Sequence, residues 1–503
     1  MALLGIDLGT SAVKVLILDT EGNTLSVSKA GYEVMAPRPG WAESDPNAWW
    51  RATVTAVQTA IAQIPQVKIT TIGLSGQMHG LVLTDKEGRP TRPALLWADT
   101  RAEQELKRYQ VLPPALLQRL ANPLVPGMAG PLLCWVADYE APVYQATRWA
   151  LQPKDWLRLC LTDSVAADPS DASATLLYDL PADHWADDVI NALGLRRELF
   201  APIAPSGALA GILSARAAKA LGLSAGLPVA TGAADTAAAA LGTGLLTPGP
   251  IQLTLGTGAQ LVQLSAEPRA DPTGRTHLYR AADGVNWYGM AAVQNAGLVL
   301  DWVRRTLGAT WDELYESANR VAPGAEGLTF LPYLTRERPH HRNPRSAGAF
   351  LGMRIDHQRE QLLHAALEGV AFGIRVALEA LPGAARVPAR DTPTIRRRGA
   401  QAGRTEEAAA LLLAGGGSLH PAWRQMLADI LGRELVTVDT SDASARGATL
   451  LAGIANGTWT DAAATASVAP AMQLAATPSI RQAAYEEVYA KFLKLSEATT
   501  TSV

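Results

Sequence analysis

Two aspartates stand where a folded chain can do chemistry. Asp7 interrupts the apolar run Leu3-Leu4-Gly5-Ile6 and is followed at once by Leu8-Gly9-Thr10-Ser11. A carboxylate inside such a strand is costly to bury unless something pairs with it. Beside a turn that grips phosphate it could hold Mg2+, which takes one or two carboxylates together with phosphate oxygens and water. It could equally cap the turn backbone, and the residues leave both readings open. Asp235 closes Gly232-Ala233-Ala234, where a short strand passes into an Ala-rich helix. Ligands of α/β proteins gather at such strand ends. A carboxylate there can accept the proton of a hydroxyl that attacks a phosphoryl group. Asp235 is also a good N-cap for Thr236-Ala237-Ala238, and the two roles can coexist.

The turn after Asp7 has a counterpart in mid-chain. Gly9-Thr10-Ser11 lies between two β-rich runs, and so does Gly256-Thr257-Gly258. Strands joined by a short Gly-containing loop make a hairpin, and successive N–H groups in a tight turn make a concave anion site. Two such tips, one per half-chain, predict two lobes that hold one polyphosphate between them. Gly415-Gly416-Gly417 after an apolar run would admit a ligand close to the backbone, plausibly a nucleoside. The chain has no G-x-x-x-x-G-K-[ST] run and no G-x-G-x-x-G after its first strand. The phosphate site therefore has to come from hairpin tips rather than from a Walker-type helix. Gln77-Met78-His79 is a polar loop at a strand end, with His79 either structural or functional. The tryptophans at 41, 49, 50, 97 and 135 are core candidates, one of which can wall a sugar pocket. Arg396-Arg397-Arg398 is most simply a solvated loop.

These residues need an α/β scaffold to bring them together. At 503 residues the chain exceeds one ordinary core, and two large domains are expected. Thr247-Pro248-Gly249-Pro250 can continue neither helix nor strand, so the division falls at 1–246 and 250–480. Strand-like runs alternate with helical ones in both halves. Asp45-Pro46 starts a helix, Ile69–Ser75 and Leu227–Thr231 are strands, and a long helix spans about 358–381. Residues 383–408 lack a clean period and read as a surface insertion, and the Thr/Ser-rich tail after Ser496 is expected to fray. A net charge of −3 favours neither nucleic acid nor an anionic membrane. No uncharged apolar run of about 18 residues is present. Two cysteines, Cys134 and Cys160, make no disulfide framework, and a reducing cytoplasm without a leader segment is expected.

The order of these motifs resembles the FGGY carbohydrate kinases from about Leu3 to Asn456. Gly5–Ser11 is similar to the family's first phosphate hairpin, and Gly256-Thr257-Gly258 to its second. Trp41–Pro46 with Trp49-Trp50, Gly76–Gly80, Leu96-Trp97 with Asp99 and Arg101, Pro153-Lys154-Asp155 and Asp168-x-Ser170-Asp171 all fit. Gly348-x-Phe350-x-Gly352-Met353 continuing to Glu368 resembles the C-terminal signature, and Gly415–Gly417 with Trp423–Asp429 resembles the adenosine loop and helix. The segments are most similar to those of members that phosphorylate the ketopentose D-xylulose. The resemblance implies two actin-like ATPase (ribonuclease-H-like) domains around a central cleft, and transfer of the ATP γ-phosphoryl group to the terminal hydroxyl of a ketopentose with Mg2+. It implies Asp235 as base and Asp7 as the metal-organising carboxylate. Gln77, Met78, His79, Trp97, Asp235 and Thr236 would meet the sugar. Gly9, Thr10, Ser11, Gly256, Thr257, Gly258, Gly297, Gly416 and Gly417 would meet the nucleotide. A small-molecule sugar is the expected partner, and a homodimer is left open. Thr236 stands where the family commonly has Asn, and Leu132 where its N-terminal signature expects Lys, so D-ribulose or another ketose or polyol is an alternative substrate. A nucleotide-driven conformational switch without a sugar is the rival from another class.

Overall fold

In the computed structural model the chain forms two lobes, each built on a mixed sheet. Residues 1–335, 347–384, 410–440 and 442–500 are described. The 383–408 segment, with Arg396–Arg398, lies almost wholly outside them.

Apolar, β-branched runs open both lobes as hairpins. Strands β1 (Ala2–Leu8), β2 (Ala12–Asp19) and β3 (Thr24–Gly31) form an antiparallel meander. β4 (Ile69–Gly76) adds in parallel beside β1. β5 (Leu209–Ile212), β6 (Pro228–Ala230) and β7 (Ala233–Ala234) complete the sheet, with β6 and β7 both pairing β4. The second sheet repeats the plan with β8 (Ile251–Leu255), β9 (Ala259–Ser265), β10 (His277–Arg280) and β11 (Trp287–Val293), then β12 (Leu411–Ala414), β13 (Leu435–Val438) and β14 (Met472–Ala476). Its order is β10-β11-β9-β8-β12-β13-β14. In both sheets an antiparallel unit is extended by strands parallel to its first member. This is the duplicated ribonuclease-H-like order of the actin-like ATPase fold.

Helix α1 (Pro46–Ala62) starts as its sequence directs, with Asp45 accepting from the Asn47 N–H and Pro46 in the first turn. Helix α2 (Asp235–Gly242) differs in one detail from the N-cap reading. Ala234 takes the cap position and Asp235 is the first helical residue. Helix α3 (Arg359–Ala380) is long and apolar enough to cross a membrane, but it is the buried core helix of the second lobe. Leu132 is fully buried in the first core, which is a packing role that a lysine could not fill without a charge partner.

Helix α4 (Ala443–Ala455) ties the lobes together. It follows a strand of the second sheet, yet it lies on β1 and β4 of the first. The approach is close enough to require glycine. A Cβ on Gly73 would stand 1.8 Å from the Ala448 carbonyl oxygen, and one on Gly447 would stand 1.8 Å from that of Ala238 in α2. The α2–α4 pair forms a core with Leu3 and Leu18 of the first sheet and Val262, Leu264 and Tyr288 of the second.

The C-terminus overturns one expectation. The last helix runs from Gln482 to Thr500, beyond the expected fraying point. Tyr485, Tyr489 and Phe492 recur at helical spacing and pack around Phe372. Ser496, one turn on, is buried with its hydroxyl 3.2 Å from that of Tyr333. The apolar stripe outweighs the poor helix propensity of the Thr-rich end.

Because no side chain can enter the α2–α4 contact without moving backbone, Gly447→Ala is expected to destabilise the protein by about 1–3 kcal/mol. A lower urea midpoint measures it. An unchanged midpoint would mean the helices can separate freely.

Candidate active site

Asp7 lies next to the end of β1, 4% exposed. Hairpin register sets Lys14 of β2 directly opposite it. The Ser75 hydroxyl, from the neighbouring β4, donates to Asp7 Oδ1 at 2.8 Å and lies 3.2 Å from the Ser444 carbonyl oxygen. Asp442, the N-cap of α4, binds the Lys14 ammonium at 2.8 Å. Burial first, then the charges of Asp442 and Asp235, push the Asp7 carboxyl up to about 7, against the opposing pull of Ser75 and Lys14. Three carboxylates thus share one lysine.

Asp235 sits at the start of α2 because β7 pairs alongside β4, Ala233 opposite Ser75 and Ala234 opposite Gly76. Asp7 at the end of β1 and Asp235 just after β7 therefore flank the same end of β4. Asp235 Oδ1 accepts from the Thr236 N–H at 2.6 Å and from the Thr236 hydroxyl at 3.2 Å. Burial raises its carboxyl to about 6, and the Thr236 bonds with the charge of Lys14 limit the rise. Thr236 thus supports Asp235, its hydroxyl turned back onto the carboxylate.

The loop after β4 carries the sugar candidates. Gln77 is 1% exposed, and both its amide nitrogen and its amide oxygen lack a hydrogen-bond partner among the described residues. Such a group is expensive to bury unless a ligand or water completes it. His79 adopts φ 69°, a left-handed backbone rare for a residue with a Cβ, and such strain collects at functional sites. Its Nδ1–H donates to the Ala174 carbonyl at 2.8 Å, which fixes the tautomer. The Tyr288 hydroxyl of the second lobe donates to Met78 Sδ at 3.7 Å, and Tyr279 lies 5.9 Å from the His79 ring. Trp97 donates from Nε1 to the Thr10 hydroxyl at 3.0 Å, so the sugar-side tryptophan touches the first hairpin tip.

The second hairpin tip opens onto a cavity of about 780 Å3. Gly256, Thr257, Gly297, Gly416 and Gly417 line it, together with Trp311 and Tyr315. Trp311, Tyr315 and His420 stack in series, with ring centres 5.6 and 5.0 Å apart. A planar aromatic wall facing a glycine floor suits a nucleobase. Gly258 is not in the lining; its carbonyl closes the turn by accepting from the Gly256 N–H at 2.8 Å. A second cavity of about 730 Å3 shares Gly416 and Leu419 with the first and reaches Lys14 and Asp442. The aromatic wall and the acidic cluster are the two ends of one groove.

A groove that runs from an aromatic wall to Lys14 and Asp442, whose charges are shared with Asp7 and Asp235, is the arrangement of a phosphotransferase. Residues 2–242 match the N-terminal domain of the FGGY family of carbohydrate kinases, and residues 251–456 match its C-terminal domain. The chain belongs to that family, which sets aside the sugar-free switch. The xylulose kinase of Escherichia coli (strain K12) is 33% identical over 433 residues, 86% of this chain and 85% of that protein. A crystal structure of a "xyloylose kinase" from Brucella ovis superposes with a TM-score of 0.90 at 33% identity, covering 100% of both chains. The gluconate kinase structure from Lactobacillus acidophilus also reaches 0.90, at 22% identity over 100% of this chain and 98% of that one, and shares the fold.

Several site residues escape the sequence reading. Lys14 is one of them, although pairing across the first hairpin, which puts it opposite Asp7, could have found it. Asp442, Trp311, Tyr315 and Tyr288 had no local signal. They come from separate segments that only the tertiary fold unites.

A catalytic carboxylate works ionised, so activity carried by Asp235 is present above its pKa and lost below it. The kcat/KM profile of the free enzyme is expected to show an acid limb with an apparent pKa of about 6. Thr236→Ala, which removes a bond to the ionised form, is expected to move that limb upward. For stability the sign is opposite. The fold favours protonated Asp7, so its stabilising contribution is full below 3.8 and lost as pH rises through about 7. Asp7→Asn is therefore expected to melt roughly 1–3 °C higher than the parent at pH 8 without nucleotide. An equal or lower melting temperature would show that Asp7 is not held under electrostatic strain.

Proposed function

We propose that the protein transfers the γ-phosphoryl group of ATP to the terminal hydroxyl of a ketopentose, with D-xylulose as substrate. The observation that carries this is the pairing of Asp235, raised to about 6, with the unsatisfied Gln77 amide and strained His79 on the adjoining strand end. The E. coli relative is a xylulose kinase, which favours that sugar among those the family takes.

The sugar is held by Gln77, Met78 and His79, with Trp97 as its wall and Tyr288 above Met78. Asp235 accepts the proton of the attacking hydroxyl as the oxygen approaches phosphorus. Thr236 keeps that carboxylate aimed and partly offsets the effect of burial. The adenine ring lies against Tyr315 and Trp311, Gly416 and Gly417 admit the ribose, and the tips Gly9–Ser11 and Gly256–Gly258 bind the phosphates. Asp7, desolvated and crowded by the charges of Asp442 and Asp235, would hold Mg2+. Bound there, Mg2+ would neutralise charge on the polyphosphate. Lys14 adds a fixed positive charge beside it. Closure of the lobes excludes water, which otherwise competes with the sugar as acceptor.

Thr236 favours a second reading of the substrate. A threonine turned onto Asp235 leaves no amide to reach the sugar, in contrast to the asparagine common at this position. A ketose or polyol that needs no such contact, D-ribulose included, is the alternative.

A coupled ADP assay over pentuloses, hexuloses and polyols separates these. D-xylulose is expected to give the highest kcat/KM, and Asp235→Asn to lower kcat by at least about 100-fold with nucleotide binding retained. A higher kcat/KM with another sugar would reassign the substrate. Full activity in Asp235→Asn would remove the base.

A further inference from the structure

Beneath Asp235 lies a set of buried charges that the mechanism above does not use. The Lys154 ammonium touches three carboxylates: Asp155 at 2.6 Å, Asp168 at 2.6 Å and Asp171 at 3.0 Å. Arg158, one turn along the helix Pro153–Thr162, binds Asp155 at 2.9 Å. None of these side chains is more than 1% exposed. The carboxylates converge as metal ligands do, but the lysine ammonium already occupies the point between them. Two cations face three acids. Burial drives Asp171 well above the carboxylate range despite Lys154, which brings the set toward neutrality.

Stability does not account for such a cluster. Desolvating ions costs several kcal/mol each, and apolar replacements of similar volume are often neutral or stabilising. Its contacts lead instead to one segment. Asp168 Oδ2 accepts from the Ser170 N–H at 2.9 Å, the Ser170 hydroxyl at 2.5 Å and the Ser206 hydroxyl at 2.8 Å. The Ser170 oxygen in turn accepts the Ala234 N–H at 2.9 Å. Arg158 Nη1 donates to the Thr231 carbonyl at 2.5 Å. The cluster thus grips the segment Thr231–Asp235 near both ends, and the last grip falls on the N–H of the residue before the aspartate.

We propose that the Lys154 cluster is a positioning device for Asp235, in which Ser170 is the residue that fixes the backbone of the base. The proposal rests on the reading of Asp235 as the base. With its proton committed to Asp168, the Ser170 oxygen presents only lone pairs to Ala234. Lys154 locks the far side of Asp168, so the chain ammonium–carboxylate–hydroxyl–amide has one arrangement. The start of α2, and with it the carboxylate, is placed by charge–dipole bonds among buried groups. This explains why the Pro153-Lys154-Asp155 and Asp168-x-Ser170-Asp171 motifs occur together without either reaching the groove.

The test compares two serines that share one acceptor. Ser170→Ala removes the bond to Ala234. Ser206→Ala removes an equivalent bond to Asp168 while leaving Ala234 held. Both are measured for kcat, for KM of ATP and for melting temperature. Ser170→Ala is expected to lower kcat between about 10-fold and 100-fold with KM for ATP within about twofold. Ser206→Ala is expected to keep kcat within about twofold even where it melts lower by a similar amount. Parental kcat in Ser170→Ala, or an equal loss in Ser206→Ala, overturns the proposal and makes the cluster structural. Asp235→Asn, assayed alongside, separates the two failures. If it is inactive while Ser170→Ala is unimpaired, the positioning idea fails alone; if it is fully active, the base assignment fails first.

Discussion

The site depends on how near helix α4 lies to the first sheet. Gly73 and Gly447 remove the side chains that would hold the helix away. Backbone then rests against backbone, and the N-cap Asp442 comes within reach of Lys14 and the charge field of Asp7. Ser75 marks the same closeness, since its hydroxyl lies near both Asp7 and the Ser444 carbonyl. A helix seated a few ångströms higher would leave the acidic group as two separate halves. The cost is that no larger residue can enter the contact, and the gain is a dense concentration of negative charge in a small volume.

That charge is poised rather than relaxed. Desolvation lifts both Asp7 and Asp235, and at Asp7 the charges of Asp442 and Asp235 add to it, a pattern typical of groups kept ready for a ligand that supplies the missing positive charge. In the neighbouring Lys154 cluster one carboxylate goes the other way. There Lys154 and three hydrogen bonds overcome burial and hold Asp168 below the usual carboxylate range. Asp7 and Asp235 are thus lifted while Asp168, hydrogen-bonded on the next segment, is held down.

The sequence was legible where local rules act alone. Both Gly-Thr hairpins, the Asp45-Pro46 start of α1 and the strand ends bearing Gln77 and Asp235 follow from turn chemistry and periodicity. Asp7 stood out because it breaks an apolar run, and Asp235 because it stands where a strand passes into a helix. What stayed hidden is what distant segments build. Asp442 reads as an ordinary helix cap, and Trp311 and Tyr315 read as one side of an amphipathic helix. Only their arrival at the groove gives them another role. The C-terminal helix was hidden for a different reason. Its Thr-rich end has weak propensity, and the packing of Tyr485, Tyr489 and Phe492 decides the matter.

The crossing of α4 bears on how this chain can be divided. By sequence the linker at 247–250 looks like a seam between two modules. In space the seam is stitched, because a helix encoded after the second sheet supplies the cover of the first. A gene cut at the seam would yield an N-terminal product with β1 and β4 bare along the glycine track, and a C-terminal product with an orphan apolar helix. Each half of this duplicated fold therefore leaves part of its apolar surface for the other half to cover.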